Sequence, residues 1–472
     1  VQNGAAVLLC AVAMVLMALQ VIGPANAADA SGAQLVELRG TSCVMGMSTQ
    51  WAYPWLMRLP SDPPQTVPIV DGDMVHFGSE GDDDCEAVFV YRQEDGPELN
   101  LWCDGPLVRV NGRPNTLFYD EESAEHLPLF DDGALADLEL VIIADLNTNH
   151  LSQLRRLATL NPHVGLGLDL DFAGYTNGVP DQVREVLASF KPWMAVLPGE
   201  ALVGDLGWRD VFAGWTTVQV LFADAACPEA LEAIAGLPRL TDLTLMEWDP
   251  EETGPFPQGM GTLRSLTLHD AEVGDLDCLA ALSGLTQLSV AALDENSSLS
   301  NITALAELPM LRNVGLAWCE KIQDLEPLHG LQDLERVSFP ANATEEQLAE
   351  FVEHVPDLRW LDLLSCEAVT NLSSLASLDR LEALSVHSGA RLEDLATLHQ
   401  LRYLRVLIPN NEKEGVAQRA RLERLGGTLP DCTIVTTIAP CMGSGYLLLL
   451  VPVAALAVLA SRRARRPRNT GA

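Results

Sequence analysis

Apolar residues in the middle of the chain follow one short pattern, with leucine-type residues at its first, fourth and sixth positions. Leu240, Leu243 and Leu245 form the first example. Seven more follow, and their starts lie between 20 residues (381 to 401) and 26 residues (285 to 311) apart. Because side chains alternate along a strand, the fourth and sixth residues point to the same side of a strand. The eight starting residues are Leu240, Leu263, Leu285, Leu311, Leu334, Leu358, Leu381 and Leu401.

This period predicts a leucine-rich repeat solenoid, in which each unit buries its apolar side against its neighbours. We expect an α/β horseshoe with a parallel sheet on its concave face, covering residues 131–436 in about a dozen repeats. The early repeats are degenerate. Their inward positions are expected at Val141 and Ile143, Leu166 and Leu168, Val196, and Val218 and Val220.

The repeat has a second half, in which Asp or Asn precedes Leu: Asp275-Leu276, Asp324-Leu325, Asn371-Leu372 and Asp394-Leu395. An Asp or Asn in that place accepts a backbone N–H bond and caps a short helical turn. The segment 322–328, IQDLEPL, resembles the internalin-like class of leucine-rich repeats. The resemblance implies the solenoid fold and an Asn where Cys319 and Cys366 stand, whereas Asn342 keeps it.

Residues 28–130 have no repeat character and predict a small, mainly β domain. Short β-type runs such as Ala87–Tyr91 and Leu107–Val110 alternate with Asp-Gly and Asn-Gly turns. We expect this domain to cover the first repeats, because a solenoid needs a polar end. Cys85 and Cys103 flank two of the strand-like runs and are the best disulfide candidate, although Cys43 is an alternative partner.

Both ends of the chain read as targeting segments. Residues 1–27 hold an apolar run and an Ala25-Asn26-Ala27 cleavage pattern, which predicts a signal peptide although no basic residue precedes the run. Within residues 437–472, Met442–Ala460 is apolar and five arginines follow. A helix of that length spans a bilayer. The order Cys441, apolar run, arginines resembles the tripartite sorting signals of Gram-negative bacteria, especially the myxobacterial type, which implies that Cys441 is a lipidation or sorting residue. A retained single-span anchor is the alternative.

The formal charge of −36 argues against nucleic acid as a partner, because phosphate contacts need a basic surface. The sequence holds no GxSxG, HExxH, phosphate-binding glycine loop or zinc-type cysteine spacing. We therefore expect no enzyme activity, no metal and no cofactor. The chemistry that remains is recognition at a surface.

Positions +2, +4 and +6 of each strand face away from the core and form columns across the stacked strands. Aromatic and Arg side chains are frequent binding hot spots, and they gather in the later repeats. The expected concave binding patch contains Arg336, Trp360, Asp362, His387, Tyr403 and Arg405.

The sequence thus predicts an exported, monomeric protein anchored at the bacterial surface or outer membrane. Its concave face is expected to bind a protein or a surface glycan. Two alternatives stay open. One is a secreted hydrolase-like enzyme whose catalytic site lies in the N-terminal domain, and the other is a structural component of the envelope.

Overall fold

The computed structural model describes residues 132–438, except 139, 144–150, 169–179, 198–207, 225–227, 247, 270–272, 292–297, 318, 409–411 and 431, together with the backbone of nine strands before residue 120. These early strands are β1 (Ala33–Gly40), β2 (Met47–Ser48), β3 (Arg58–Leu59), β4 (Gln65–Thr66), β5 (Met74–Val75), β6 (Ala87–Gln93), β7 (Glu98–Asp104), β8 (Leu107–Val110) and β9 (Arg113–Tyr119).

One long parallel sheet forms the body of the protein. Strands β9 to β22 pair in chain order, each parallel to the one before it. The later strands are β10 (Leu140–Ile143), β11 (Gly165–Leu168), β12 (Met194–Leu197), β13 (Val220–Asp224), β14 (Asp242–Met246), β15 (Ser265–His269), β16 (Gln287–Ala291), β17 (Asn313–Gly315), β18 (Arg336–Ser338), β19 (Trp360–Leu363), β20 (Ala383–Val386), β21 (Tyr403–Ile408) and β22 (Thr433–Ile438).

The eight well-formed repeats have the register that their sequence predicts. Their first, fourth and sixth positions supply 24 side chains, three from each of eight repeats, and none is more than 3% exposed. Equivalent residues stand side by side in the sheet, as Leu243 does with Leu266 and Leu288. The apolar pattern therefore becomes continuous columns of leucine inside the solenoid, which confirms the leucine-rich repeat fold.

Two of the degenerate repeats have a different register from the predicted one. Leu166 pairs with Ala195 rather than Val196, and Ala195 pairs in turn with Leu221 rather than Val220. Ala195 and Leu221 are fully buried, whereas Val196 and Val220 are half-buried on the opposite face. A shift of one residue moves a side chain across the sheet, and an alanine in an inward position hides the pattern.

Helices and 3₁₀ turns cover the inward side of the sheet and share its apolar core. The α-helices are α1 (Asp132–Ala136), α2 (Leu151–Leu160), α3 (Asp181–Ser189), α4 (Trp208–Ala213), α5 (Pro228–Ala235), α6 (Pro250–Thr253), α7 (Glu326–His329), α8 (Glu345–His354) and α9 (Glu412–Thr428). The 3₁₀ turns are Asp277–Leu279, Thr303–Glu307, Ser373–Ser377 and Leu392–Thr397. We call the sheet side that points away from these elements the concave face.

Asp and Asn side chains cap four of the short turns, and three of these residues, Asp275, Asp324 and Asn371, stand at predicted positions. The side-chain oxygen of Asp324 accepts the backbone N–H of Glu326 at 2.9 Å, and that of Asn371 accepts the N–H of Ser373 at 3.1 Å. Asp275 and Asn301 make the same contact at 3.0 Å. The equivalent Asp394 differs, because it accepts the N–H of Leu372 in the preceding repeat at 3.0 Å.

The first solenoid strand belongs to the part of the chain assigned to the N-terminal domain. β9 pairs with β10 in parallel, and the antiparallel strands β6, β7 and β8 lead into it. Leu117 and Tyr119 of β9 are buried in the same core as Val141. The boundary at residue 130 stays a prediction, but the sheet continues across it.

At the other end, α9 closes the last repeats. One side of this helix is buried in the shared core through Leu422 and Leu425, and Leu429, just past the helix end, is buried there as well. The Arg421 guanidinium binds both carboxylate oxygens of Glu393, at 3.1 and 2.9 Å. Within the described residues, no helix is long and apolar enough to cross a bilayer. The expected signal peptide and anchor, residues 1–27 and 442–460, lie outside them.

Candidate ligand-binding face

Arg336 and Trp360 stand next to each other on the concave face. They are directly paired positions of β18 and β19, so strand register alone brings them together. The guanidinium carbon of Arg336 lies 4.4 Å from the centre of the Trp360 ring, within cation–π distance. Both side chains are half-buried. The pair thus offers a charged and an aromatic group that are already ordered.

A row of amides continues from this pair along the +2 column. Asn313 pairs with Arg336 on one side and with Gln287 on the other. Its Nδ2 donates to the Gln287 side-chain oxygen at 3.2 Å. The row Gln287, Asn313, Arg336 and Trp360 therefore consists of two side-chain pairs that strand register places side by side.

Asp362 lies two residues after Trp360 in β19, in the +4 column beside Ser338. One of its oxygens accepts the backbone N–H of Leu364 at 2.9 Å, and the side chain is half-buried. That bond fixes the carboxylate at the end of the strand. The predicted patch therefore has a positive, an aromatic and a negative group within two neighbouring repeats.

Much of the remaining concave face is closed, which differs from the exposed columns that the sequence predicts. The small side chains on either side of the patch are at most 4% exposed: Thr244, Ser265, Thr267, Gln287, Ser289, Ala383 and Ser385. Gly315 fits this close packing, since a Cβ there would lie 2.8 Å from the Ser289 hydroxyl oxygen. Strand alternation predicts which face a residue occupies, but not whether that face is open.

Asp242 begins this closed region. Burial raises the pKa of its carboxyl group, and a hydrogen bond from the Thr241 hydroxyl, at 2.5 Å, opposes the rise. Desolvation outweighs that bond because the carboxylate loses more hydration than one hydroxyl restores.

His387 is a structural residue rather than an open part of the patch. It is 5% exposed, its Nε2 lies 2.9 Å from the carbonyl of Val369, and its Nδ1 accepts the N–H of Gly389 at 3.1 Å. These contacts suit a neutral ring that carries its proton on Nε2. The expectation that His387 meets a ligand is therefore corrected, because both of its nitrogens serve the fold.

Tyr403 and Arg405 extend the same columns by backbone register. Tyr403 pairs with Ala383 and Arg405 with Ser385. Their side chains lie outside the described residues, so their part in the patch stays a prediction. Cys441 and Cys85 also lie outside, as does the side chain of Cys103, and the expected disulfide and sorting site stay predictions as well.

Cysteines stand at the asparagine position of the internalin-like pattern, and each contacts a carbonyl of the preceding repeat. The thiols of Cys319 and Cys366 are fully buried and lie 3.6 Å from the carbonyl of Val290 and 3.3 Å from that of Pro340. Asn342 also donates its Nδ2 to the preceding repeat, but to the carbonyl of Ile322, which lies further along that repeat, at 2.6 Å. Burial raises the pKa of the Cys366 thiol to about 12, so it is a packing group and not a nucleophile.

For the other described cysteines, Cys278 and Cys432, burial raises the pKa of each thiol to about 12. Across the described part of the chain, no three His, Cys, Asp or Glu side chains are grouped so that they could hold a metal ion.

The Arg336–Trp360 contact itself was within reach of the sequence. Both residues stand two places after their repeat's starting leucine, in consecutive repeats, and parallel strands bring such positions together.

The ion pairs along the +1 column, one residue after each starting leucine, are a feature that sequence reasoning missed. Arg359 binds Glu382 through both carboxylate oxygens at 2.8 Å, and Arg312 lies 3.6 Å from Glu335. The sequence does contain a signal for these ion pairs, because the residue just before each of the four strands alternates between Arg and Glu: Arg312, Glu335, Arg359 and Glu382.

The sheet, its buried leucine columns and its capped turns make this chain an α/β leucine-rich repeat solenoid. No protein-family model and no curated protein sequence matches it. Among solved structures, an internalin from Listeria monocytogenes str. 4b F2365 is 13% identical, and the match covers 68% of this chain and 96% of that chain with a TM-score of 0.36.

A leucine-rich repeat protein from Leptospira interrogans is 14% identical, with 64% of this chain and 91% of that chain covered and a TM-score of 0.26. An internalin C2 from the same Listeria strain is 16% identical, with 49% and 84% covered and a TM-score of 0.26. Overlap at these TM-scores is limited, so the fold of this chain rests on its own sheet and register.

Proposed function

We propose that this protein binds a protein or glycan ligand through the concave patch around Arg336, Trp360 and Asp362. The observation that carries the proposal is the ordered Arg336–Trp360 stack, which is half-buried, as Asp362 is, whereas many concave side chains in the flanking repeats are closed. Arg and Trp are the residue types that dominate binding energy at interfaces, and pre-ordered side chains lose less entropy on binding.

The patch favours a ligand with mixed chemistry. Trp360 supplies apolar area, Asp362 accepts hydrogen bonds from cationic or hydroxyl groups, and the half-buried Asn313 amide extends the polar row. The whole chain carries a net charge of −36, so a strongly acidic partner is repelled over its whole surface. A protein segment of neutral or basic character fits these conditions, and a neutral glycan fits them as well.

The experiment is capture of a partner from surface extracts on the immobilised protein, compared with two variants. We expect Trp360→Ala and Arg336→Ala each to lower the affinity, by on the order of 1–3 kcal/mol if they are hot spots. Arg380→Ala is the matched control, because Arg380 is exposed and pairs with Asp357 away from the patch. Equal binding by the wild type and the three variants would exclude the concave patch as the binding site. Loss of binding after deglycosylation of the extract would show that the ligand is a glycan.

We also propose export and anchoring at the bacterial surface, supported by the apolar run and cleavage pattern of residues 5–27 and by the apolar run and arginines of residues 442–468. We expect the protein in the membrane fraction, and its release when the segment after Cys441 is deleted. If Cys441→Ser leaves both processing and membrane retention unchanged, lipid-linked sorting fails and a spanning anchor remains.

A further inference from the structure

Two histidines from consecutive repeats stack on the helical side of the solenoid. His329 is the last residue of α7 and His354 is the last residue of α8. Their ring centres are 4.3 Å apart and their planes differ by 4°, which is a face-to-face stack. Phe351 lies 6.4 Å from the His329 ring on the same helix as His354. The stack is therefore a direct side-chain contact between neighbouring repeats.

The His354 ring is held in place by its own helix. Its Nδ1 lies 2.8 Å from the carbonyl of Glu350, one turn earlier, and therefore donates to it. The neutral ring then has its free nitrogen at Nε2, where a proton adds without breaking this bond. Protonation consequently places positive charge in a ring that stays against His329.

The surroundings of His329 resist that charge. Burial and the neighbouring His354 lower the pKa of His329, and the acids Glu350, Glu326 and Asp324 oppose this effect. Glu307 is the titratable residue of the 3₁₀ turn Thr303–Glu307, which packs against α7. The sequence of Ser373–Ser377, packed against α8, has no titratable side chain. The acids reduce the repulsion between the two rings but do not cancel it.

We propose that the His329–His354 stack is a proton-sensitive junction between two consecutive repeats, which is tight while the rings are neutral and loosens when they take up protons. Two imidazolium rings stacked face to face repel each other, and each ring lies at the last residue of its helix. α7 has four residues and packs against both the 3₁₀ turn Thr303–Glu307 and α8.

The junction joins the repeats that begin at Leu311 and Leu334, and the second of these carries Arg336 of the concave patch. His329 precedes Arg336 by seven residues and His354 precedes Trp360 by six. We therefore expect a ligand on Arg336 and Trp360 to bind more weakly in acid. This consequence rests on the proposed function, whereas the junction itself does not.

Hydrogen–deuterium exchange of the full chain tests the junction directly. Peptides that cover α7 and α8 are compared at about pH 7.5 and about pH 5, on either side of the ordinary histidine pKa, after correction for the intrinsic rate. We expect exchange in both helices to rise severalfold in acid, because positive charge on the stacked rings opposes their contact. α9 serves as an internal reference.

Three variants separate a proton effect from a general loss of packing. His329→Phe keeps an aromatic ring but cannot be protonated, and we expect it to abolish the rise in acid. His354→Gln removes the stack from an exposed position, so we expect faster exchange at both pH values and a smaller rise in acid, because burial still lowers the pKa of His329. His399→Gln removes an exposed imidazole elsewhere and should behave as the wild type.

Unchanged exchange in wild-type α7 and α8 at the lower pH would overturn the proposal. So would a rise that persists in His329→Phe. Both measurements are made without a ligand. A failure to find a partner would therefore count against the proposed function but not against the junction.

Discussion

At the scale of single residues, Trp360 and Leu361 are neighbours in sequence with opposite roles. Leu361 is 2% exposed and points into the core, whereas the Trp360 ring lies half-exposed on the other face against Arg336. Strand alternation makes this contrast obligatory, so the pair tests the register and the patch together.

We expect Leu361→Ala to lower the free energy of unfolding by roughly 2–5 kcal/mol, because it leaves a cavity among close-packed leucines. Trp360→Ala should cost less, roughly 1–2 kcal/mol, because it removes the cation–π contact and part of the buried apolar area but leaves no cavity in the core. Urea unfolding monitored by circular dichroism measures both. A large loss for Trp360→Ala beside a silent Leu361→Ala would mean that the two faces are assigned the wrong way round.

The limits of the sequence are clearest at this scale. Alternation correctly assigned Leu361 inward and Arg336 outward, because backbone geometry decides the face. It could not show that Thr267 and Ser385 are closed off or that His387 bonds to Val369 and Gly389. Those facts depend on rotamers and on residues from other repeats, which the local pattern does not contain.

At the scale of elements, polar side chains join the convex turns of successive repeats. Glu345, in the first turn of α8, accepts three bonds from the next repeat through one oxygen: the hydroxyl and N–H of Thr370, at 2.7 and 3.1 Å, and the N–H of Asn371, at 2.8 Å. These bonds lower the pKa of the Glu345 carboxyl, with the Thr370 hydroxyl as the largest cause. Capping residues were predictable from the Asp-Leu spacing, whereas this contact was not, because it joins residues 25 positions apart.

Loss of the capping contact of Asp324 should have a measurable effect on stability. We expect Asp324→Ala to destabilise the protein by about 1 kcal/mol, since the N–H of Glu326 loses its acceptor at the start of α7. Asp333→Ala, at an exposed position in the same repeat, is the control and should change the unfolding free energy by less than about 0.5 kcal/mol. Equal effects of the two substitutions would show that the cap contributes nothing.

The clamp of α9 on the last 3₁₀ turn predicts a dependence on pH. Hydrogen bonds from Arg421 lower the pKa of Glu393 to about 2. A carboxyl group whose pKa is lowered by folding adds stability above its unfolded pKa and loses it as the pH falls toward the folded value. We therefore expect the melting temperature to fall as the pH drops from about 4.5, the ordinary range of Glu, to about 2.

The matched comparison for this clamp is Glu393→Gln against Glu367→Gln, an exposed carboxyl group in another repeat. Glu393→Gln should make the melting temperature depend less steeply on pH in that window, while Glu367→Gln should leave the slope unchanged. Parallel curves for the wild type and Glu393→Gln would rule out the clamp as a source of acid sensitivity.

At the scale of the whole molecule, each repeat buries its leucines only because another repeat or an end cap lies beside it. β22 pairs with β21 along six residues, from Tyr403–Thr433 to Ile408–Ile438. α9 adds buried leucines to the core and ties Gln418 to the carbonyl of Ser388 at 3.3 Å. The segment from 412 to 438 thus acts as the C-terminal cap of the solenoid.

Deleting residues 409–438 should therefore destabilise the entire solenoid and not only its last repeat. The deletion removes the pairing partner of β21 and uncovers Leu404 and Val406, and it also withdraws Leu422, Leu425 and Leu429, each worth about 1.5–3 kcal/mol when buried. We expect a lower melting temperature and self-association through the open strand edge, measured by calorimetry and light scattering. Arg421→Ala, which cuts the clamp but keeps the cap, should cause a much smaller loss. A truncated chain that melts like the full one and stays monomeric would mean that the repeats before residue 409 close their own core, and that the cap role assigned to α9 and β22 is wrong.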